Sequence, residues 1–432
     1  MNTDPPVPAR IASLEATAVR ALQAGNVDDA MRAWAAILEI DFRHTPTLMA
    51  LGQHAFRQGD MASAQQAFAR AIESDGRDVG QWINLAIACR NLKDEEGEEA
   101  AIKGALSVDP MDFLALNMRG SLMERRGEKH EAARAYAAAA TVSPDPAQLH
   151  PDLRPALAYA QRYRAQYDSE YGAFMDQYLA AQLGRHEAAD LARFRDSLDI
   201  MLGRKKRFDS HSAVYHYPRL APIEFFPHER FPWLDAIEAA TDDIREEFLQ
   251  VLAADQGFTP YIVYPDDVPH NQFEELNRSP RWSAFHLYQY GKRIEENAAK
   301  CPKTMALLDS VVPKPIMAAR TPAAMFSLLK PKTRIPPHHG VTNARLVTHL
   351  PLIVPEGCGF RVGNETRQWV PGKAWVFDDT IEHEAWNDSD YLRVVLIFDI
   401  WHPDLSEGER AMISATMEGL CAFTGNQGGF EL

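Results

Sequence analysis

Two short histidine-bearing segments carry the first chemistry in this sequence. Pro337-His338-His339-Gly340 reads as a turn ahead of a strand. Glu382-His383-Glu384, 45 residues on, sits between two strand-like runs. Non-haem Fe(II) chemistry asks for a few protein ligands on one face, with positions open for co-substrate and oxygen. A histidine near one strand and a second on a late strand can supply that face. A histidine in a turn is also an ordinary surface or packing residue, so spacing alone leaves both readings open. Arg393 adds a third group. In RVVLIFDI, Arg393, Val395 and Ile397 alternate with Val394, Leu396 and Phe398. Both strand faces are apolar, so the guanidinium is expected to be at least partly buried, and a buried guanidinium needs an anion. That anion is either a protein carboxylate or a ligand carboxylate, such as the distal one of 2-oxoglutarate, held bidentately. In RLVTHLPL, Arg345 and His349 share a face and form a second candidate anion site.

The elements that must position these groups are short. AMFSLLK, RLVTHLPLIV, GFRV, KAWVFDD and RVVLIFDI are β-rich runs separated by Pro, Gly and Asn turns over 324–405. Antiparallel strands this short, without helices between them, suggest a sandwich or barrel. Upstream, residues 234–252 read as one amphipathic helix. WSAFHLYQYGKR alternates like a strand before a turn at Gly291, and 293–310 returns to helix. The stretch from about 211 is dense in Pro, His and aromatics, which marks loops and short strands.

The first 145 residues carry none of this chemistry. They repeat with a period of 34 over four units. Ala18, Gly52, Ala86 and Gly120 share one register. Gly25, Gly59 and Gly127 follow seven residues later, with Lys93 as the exception. Ala30, Ala64 and Ala132 recur, with Glu98 as the exception. Trp34, Phe68, Ile102 and Tyr136 come next. Small residues let two helices approach, a large apolar residue fills the groove, and Gly makes the turn. The pattern resembles the tetratricopeptide repeat, and such units stack into a curved solenoid with a concave face. That face suits a docked peptide or protein, while a structural or dimerising extension would carry the same pattern. Lys93 and Glu98 lie in an acidic run, so the third unit is expected to be the least regular. Residues 146–207 are alanine-rich with few breakers after Pro155 and read as helices closing the solenoid.

Composition excludes several classes. With 46% hydrophobic and 24% charged residues, this is an ordinary globular composition for two or three domains. The net charge is −15, with −6 on residues 1–145 and −9 on the rest. Phosphate-backbone binding needs a Lys/Arg surplus, so nucleic acid is not an expected partner. Arg204-Lys205-Lys206-Arg207 is the one tight basic cluster and reads as a solvated stretch. The four cysteines are scattered without a CxxC pair, which fits a reducing compartment better than a disulfide framework. The N-terminal MNTDPPVPAR has no apolar signal core, and no run reaches the roughly 18 apolar residues of a membrane span. A cytoplasmic protein without membrane attachment is the expectation.

Over 324–405 the run of PHHGVTN, RVGNET, GK, FDD, EHEAWN and WHP resembles the core of the aspartyl/asparaginyl β-hydroxylase family, and WSAFHLYQYGKR resembles it more loosely. The resemblance implies a double-stranded β-helix (jelly roll) oxygenase using Fe(II), 2-oxoglutarate and O2. The chain would then be multidomain α + β. A tetratricopeptide solenoid would span 11–145, capping helices 146–207 and the oxygenase 208–432. Animal members also pair a tetratricopeptide-like region with an oxygenase. His338 matches the family's first iron ligand and His383 the second. Position 340, where most oxygenases of this kind place an Asp or Glu, is Gly, so the resemblance implies two protein ligands only. Glu382 or Glu384 could supply a carboxylate, but the family pattern gives them no such role. Arg393 matches the grip on the distal carboxylate of 2-oxoglutarate, and Ser327 a serine that assists it. His349 matches a residue near the C1 carboxylate, and Trp282 an aromatic lining the pocket. Members of the family carry Arg two residues before that His, and here the position is Val347. Either Arg345 stands in from the same face or the C1 carboxylate is held more weakly. The implied activity is β-hydroxylation of Asp or Asn in a polypeptide recruited by the repeats. Two alternatives stay open: a hydroxylase of a small molecule, lipid or carrier-bound amino acid, and a binding module without turnover.

Overall fold

The computed structural model describes residues 6–187, 191–254, 257–264 and 273–425. The chain divides into two compact units between Gly203 and Arg204. The opening residues of the MNTDPPVPAR segment lie outside the described residues.

The first unit holds four antiparallel helix pairs. They are α1 (Val7–Gln23) with α2 (Val27–Ile40), α3 (Thr45–Arg57) with α4 (Met61–Ser74), α5 (Val79–Leu92) with α6 (Glu95–Val108), and α7 (Phe113–Arg125) with α8 (Lys129–Val142). The 34-residue period is visible in the turns. Asn26, Asp60 and Asp94 each cap the second helix of a pair by accepting an N–H three residues on. Gly25, Gly59 and Gly127 take left-handed backbone at φ 76°, 79° and 77°. Between the helices, a Cβ on Gly52 would overlap the Phe68 ring, and one on Gly120 the Tyr136 ring. The small and large positions of the repeat are therefore direct contacts.

The third repeat, α5 with α6, is as regular as the others, against the expectation from sequence. Lys93 adopts the same left-handed conformation, at φ 61°, without a glycine. Glu98, standing in an alanine's buried place, is held by Arg90 and Arg125. Tyr136 and Tyr159 both donate to Glu124, pinning α9 (Arg154–Leu183) onto the last pair, and α10 (Ala192–Met201) completes the unit.

The second unit is built on two antiparallel sheets. Expected as one helix, 234–252 is two, α11 (Leu234–Ala239) and α12 (Thr241–Ala254). The Thr241 hydroxyl bonds back to the Glu238 carbonyl at the break. Then come β1 (Thr259–Pro260), β2 (Trp282–Gln289), β3 (Lys292–Arg293), α13 (Glu295–Ala298) and α14 (Pro302–Ser310). After them run β4 (Ala324–Leu329), β5 (Thr333–His338), β6 (Arg345–Ile353), β7 (Cys358–Val362), β8 (Glu365–Arg367), β9 (Trp375–Phe377), β10 (His383–Asn387), β11 (Arg393–Trp401) and α15 (Glu407–Thr424). Among the described residues, the larger sheet runs β1-β2-β4-β11-β6-β9 with β3 on β2, and the smaller runs β5-β10-β7-β8.

The larger sheet is covered on both faces, which is why β4 and β11 read as nearly unbroken apolar runs. One face packs Phe326, Leu350 and Leu396 against Phe248, Met305 and Leu308 of the helices. Full burial of a side chain such as Phe248 contributes about 1.5–3 kcal/mol. The other face packs Trp282, Leu329, Val347 and Val395 against Ile335, Phe360, Val362 and Ala385 of the smaller sheet. The site lies between the sheets.

His338 was expected in a turn ahead of a strand. It is instead the last residue of β5, in TRIPPH. Two prolines argue against a strand, but β5 is the outer strand of the smaller sheet, where a missing N–H costs no ladder bond. His383 opens β10 rather than lying between strands.

Candidate active site between the sheets

β5 and β10 pair antiparallel with His338 opposite His383. That register brings the two rings to 4.0 Å between centroids, at 51°. Each ring is tied down in the same way. His338 Nδ1 donates to the carbonyl of Pro336 at 2.8 Å, and His383 Nδ1 to that of Ile381 at 3.1 Å. A carbonyl only accepts, so the proton sits on Nδ1 and the Nε2 lone pair is left for a ligand. Burial pushes the His338 ring down to about 3 and the His383 ring down to about 4, so both are neutral at physiological pH. Neutral imidazoles with a fixed tautomer are what a metal such as Fe(II) binds.

His339 points elsewhere. Its ring meets His211 edge-on at 5.3 Å, and it does not line the cavity between the sheets. Glu382 and Glu384 are also turned away, because both are clasped by Arg361.

No group of three or more His, Cys, Asp or Glu among the described residues is arranged to hold a metal. The reason at this site is visible at Gly340, two residues after His338. A Cβ there would fall inside the carboxylate of Asp379. Asp379 thus fills the space a side chain at 340 would need. Its Oδ2 pairs with Arg345 Nη2 at 2.9 Å, while Oδ1 has no hydrogen-bond partner among the described residues. Arg345 also lies 4.0 Å from Asp399. Burial raises the carboxyls of both, Asp399 to about 7, against the pull of Arg345.

Arg393 is 2% exposed. Its Nη1 donates to the Ser327 carbonyl at 3.2 Å and to Ser327 Oγ at 3.3 Å, and its Nε finds no partner. Trp282 Nε1 donates to the same Oγ at 3.3 Å. The guanidinium lies 5.0 Å from the Trp369 ring centroid. Among the described residues no carboxylate pairs with it, and burial pushes it down to about 10. His349 is also buried, with Nδ1 lacking a partner and its ring 4.9 Å from those of Phe360 and Phe377. Burial, then the charge of Arg393, holds it well below the usual imidazole range.

His338, His383, Arg393, Ser327, His349, Arg345 and Trp282 all line one cavity of about 390 Å3. The structure therefore brings together these seven candidate residues, and leaves His339, Glu382 and Glu384 outside the cavity. It differs for Arg345 in one respect: this cation already carries Asp379, so it is not a free anion site. Sequence reading missed Asp379, Trp369 and Tyr261, the last stacked on Trp282 at 4.2 Å. Asp379 stands in the FDD motif, but nothing in that motif says which gap it fills.

These features define a protein with a cavity between two antiparallel sheets, lined by a neutral histidine pair and by a buried cation that has no carboxylate partner among the described residues. Residues 238–403 match the family model described as aspartyl/asparaginyl beta-hydroxylase. An aspartyl/asparaginyl beta-hydroxylase of Mus musculus is 38% identical over 173 residues, which is 40% of this chain and 22% of that protein. An ornithine lipid ester-linked acyl 2-hydroxylase of Rhizobium tropici is 34% identical over 197 residues, 45% of this chain and 66% of that protein. The matched segment belongs to the aspartyl/asparaginyl β-hydroxylase family. The match to the mouse protein spans only about one-fifth of its length. A crystal structure of MamA protein aligns with 40% of this chain and 94% of its own, at 16% identity and a TM-score of 0.31, too slight a likeness to carry an argument.

Proposed function

We propose that the second unit is an Fe(II)- and 2-oxoglutarate-dependent hydroxylase, with its two sheets forming a double-stranded β-helix. One observation carries this reading. A buried guanidinium without a carboxylate partner among the described residues shares a cavity with two neutral, tautomer-fixed histidines. An isolated buried charge is costly, and an anionic ligand offsets that cost.

His338 and His383 would hold the metal through Nε2. When bound, metal, 2-oxoglutarate and O2 together supply an oxidant able to take hydrogen from an unactivated C–H bond. The protein's part is to orient and to exclude water. Arg393 would take the distal carboxylate. Ser327 Oγ already accepts two N–H bonds, so its own proton is available to the same carboxylate. Beside His349 and Val347 the C1 carboxylate would meet a neutral ring and an apolar wall. With Arg345 held by Asp379, the co-substrate would be held more weakly at that end. Trp282 and Tyr261 would close one side of the cavity against water.

The substrate we favour is an Asp or Asn side chain in a polypeptide held by the repeats, in line with the family of the matched segment. The acyl 2-hydroxylase relative supports a second reading, a lipid acyl chain. Four free cysteines fit a reducing, cytoplasmic setting. Anaerobic calorimetry tests the site. The full chain with Fe(II) should bind 2-oxoglutarate, and Arg393→Ala should weaken that binding. Equal affinity in the two would place Arg393 in a purely structural role.

A further inference from the structure

The matched family segment starts at residue 238, but the site's surroundings start earlier. The first residues after the division at Gly203 and Arg204 run along the outside of both histidine segments. Asn364 Nδ2 donates to the Lys206 carbonyl at 2.6 Å, and Lys206 Nζ lies 3.7 Å from Glu382. Ser210 pairs by backbone with Ile381, and its hydroxyl meets that of Thr380 at 2.6 Å. His211 N–H donates to the Thr380 carbonyl at 2.7 Å. The chain then crosses over. Ala213 N–H donates to the Gly340 carbonyl at 3.2 Å, and Val214 and Tyr215 both donate to that of Val341. Tyr217 and Asn343 exchange two further bonds, at 2.7 and 2.8 Å.

The targets of these bonds are not scattered. Residues 380–382 lead directly into His383, and 340–343 lead directly away from His338. Both stretches lie outside β5, β6 and β10, so their carbonyls have no sheet ladder to satisfy them. Buried or half-buried backbone groups without partners are costly, and the strap supplies the partners. It also joins two segments that meet each other through few other bonds, one of them Gly340 N–H to the Asp379 carbonyl. Ligand geometry is set by such support, since a misplacement of about half an ångström already loosens a site.

We propose that residues 206–217 are a positioning strap for the His338–His383 pair, so that metal affinity depends on chain outside the matched family segment. This rests on the Fe(II) reading above. The strap would act through the segments 340–343 and 380–382, by bonds to their backbones and to the side chains of Asn343, Thr380 and Glu382. Because coupling between sites is reciprocal, a metal that needs the strap in place must also stabilise it.

The test uses the full chain and Co(II) as the probe. His211→Pro with Ala213→Pro deletes two of the strap's N–H donors. His211→Asn with Ala213→Ser keeps them. For the proline variant, calorimetry should give a Kd at least 10-fold weaker than wild type, with an altered visible Co(II) absorption. The control variant should match wild type in both. Far-UV circular dichroism checks that the proline variant is folded. A folded proline variant with unchanged Kd and spectrum overturns the proposal. Should that variant not fold, amide exchange on the wild-type chain decides. Adding Co(II) should slow exchange at Ala213, Val214 and Tyr215, and no change there overturns the strap. Failure of the wild-type chain to bind Co(II) or Fe(II) at all would instead overturn the metal reading itself.

Discussion

The carboxylate of Asp379 occupies the space into which a side chain at position 340 would grow, 39 residues away in sequence and directly beside His338. Glycine at 340 is therefore more than a missing ligand. Its lack of a side chain is the condition for Asp379 to sit where it does, paired with Arg345.

Gly340→Asp should consequently not create a third ligand. The new side chain meets Asp379, and such overpacking costs about 1–3 kcal/mol. Thermal denaturation should show a lower midpoint, with no gain in Fe(II) affinity. Gly340→Asp combined with Asp379→Gly should recover much of the loss. An increase in metal affinity from Gly340→Asp alone would contradict this packing.

For the histidines, His338→Ala and His383→Ala should each abolish Fe(II) binding, while His339→Ala should change it little, because His339 faces His211 instead of the cavity. Calorimetry on the three variants separates them. A damaging His339→Ala would reverse the assignment.

Arg393→Ala removes a charge-assisted contact to a buried carboxylate, a loss of roughly 2–5 kcal/mol. The concentration of 2-oxoglutarate needed for half-maximal turnover should rise at least ~30-fold. An unchanged value would mean that no anion binds there.

Stability of the metal-free chain should fall on the acid side. The buried rings of His338, His383 and His402 and the half-buried ring of His286 have folded values of about 3 to 4, below the ordinary 6.5, and His349 lies well below as well. Between those values and 6.5 the unfolded chain binds protons that the folded chain does not, so stability rises with pH through that window. Three carboxyls raised by burial, Asp378 to about 6, Asp399 to about 7, and Asp379, act in the opposite direction but are fewer. The melting temperature should therefore climb from pH 4.5 to 6.5. A falling curve over that range would contradict the buried, neutral state of the histidines.

In the repeats, Lys93→Gly should stabilise by about 0.5–1 kcal/mol, since relief of left-handed backbone, about 1–2 kcal/mol, exceeds the added chain entropy of glycine, about 0.5–1 kcal/mol. Removing both Arg90 and Arg125 should cost about 3–5 kcal/mol by stranding buried Glu98. Urea denaturation measures both.

What the sequence made legible follows local periodicity. The helix pairs were readable because Gly25, Gly59 and Gly127, or Gly52 and Phe68, recur at fixed spacing and touch across one hairpin. The inward faces of β6 and β11 were readable because Arg345 with His349, and Arg393 with Val395, obey a period of two. Long-range complementarity was not readable. Pro336 and Pro337 hid β5, since only an outer strand tolerates them. The stretch 206–217, without helical or strand periodicity, concealed a strap whose partners lie more than a hundred residues away. The lysine at 93 and the glutamate at 98 looked like defects because their compensation, a left-handed turn and two arginines, depends on three-dimensional neighbours.

The central claim is that the cavity of His338, His383 and Arg393 turns over 2-oxoglutarate. The most direct measurement is succinate formed from 2-oxoglutarate by the full chain in air, with and without Fe(II), before any substrate is known. The account predicts slow, Fe(II)-dependent succinate formation that His338→Ala and His383→Ala both abolish. Succinate formation at the same rate in those variants, or none from a wild-type chain loaded with Fe(II), would contradict it.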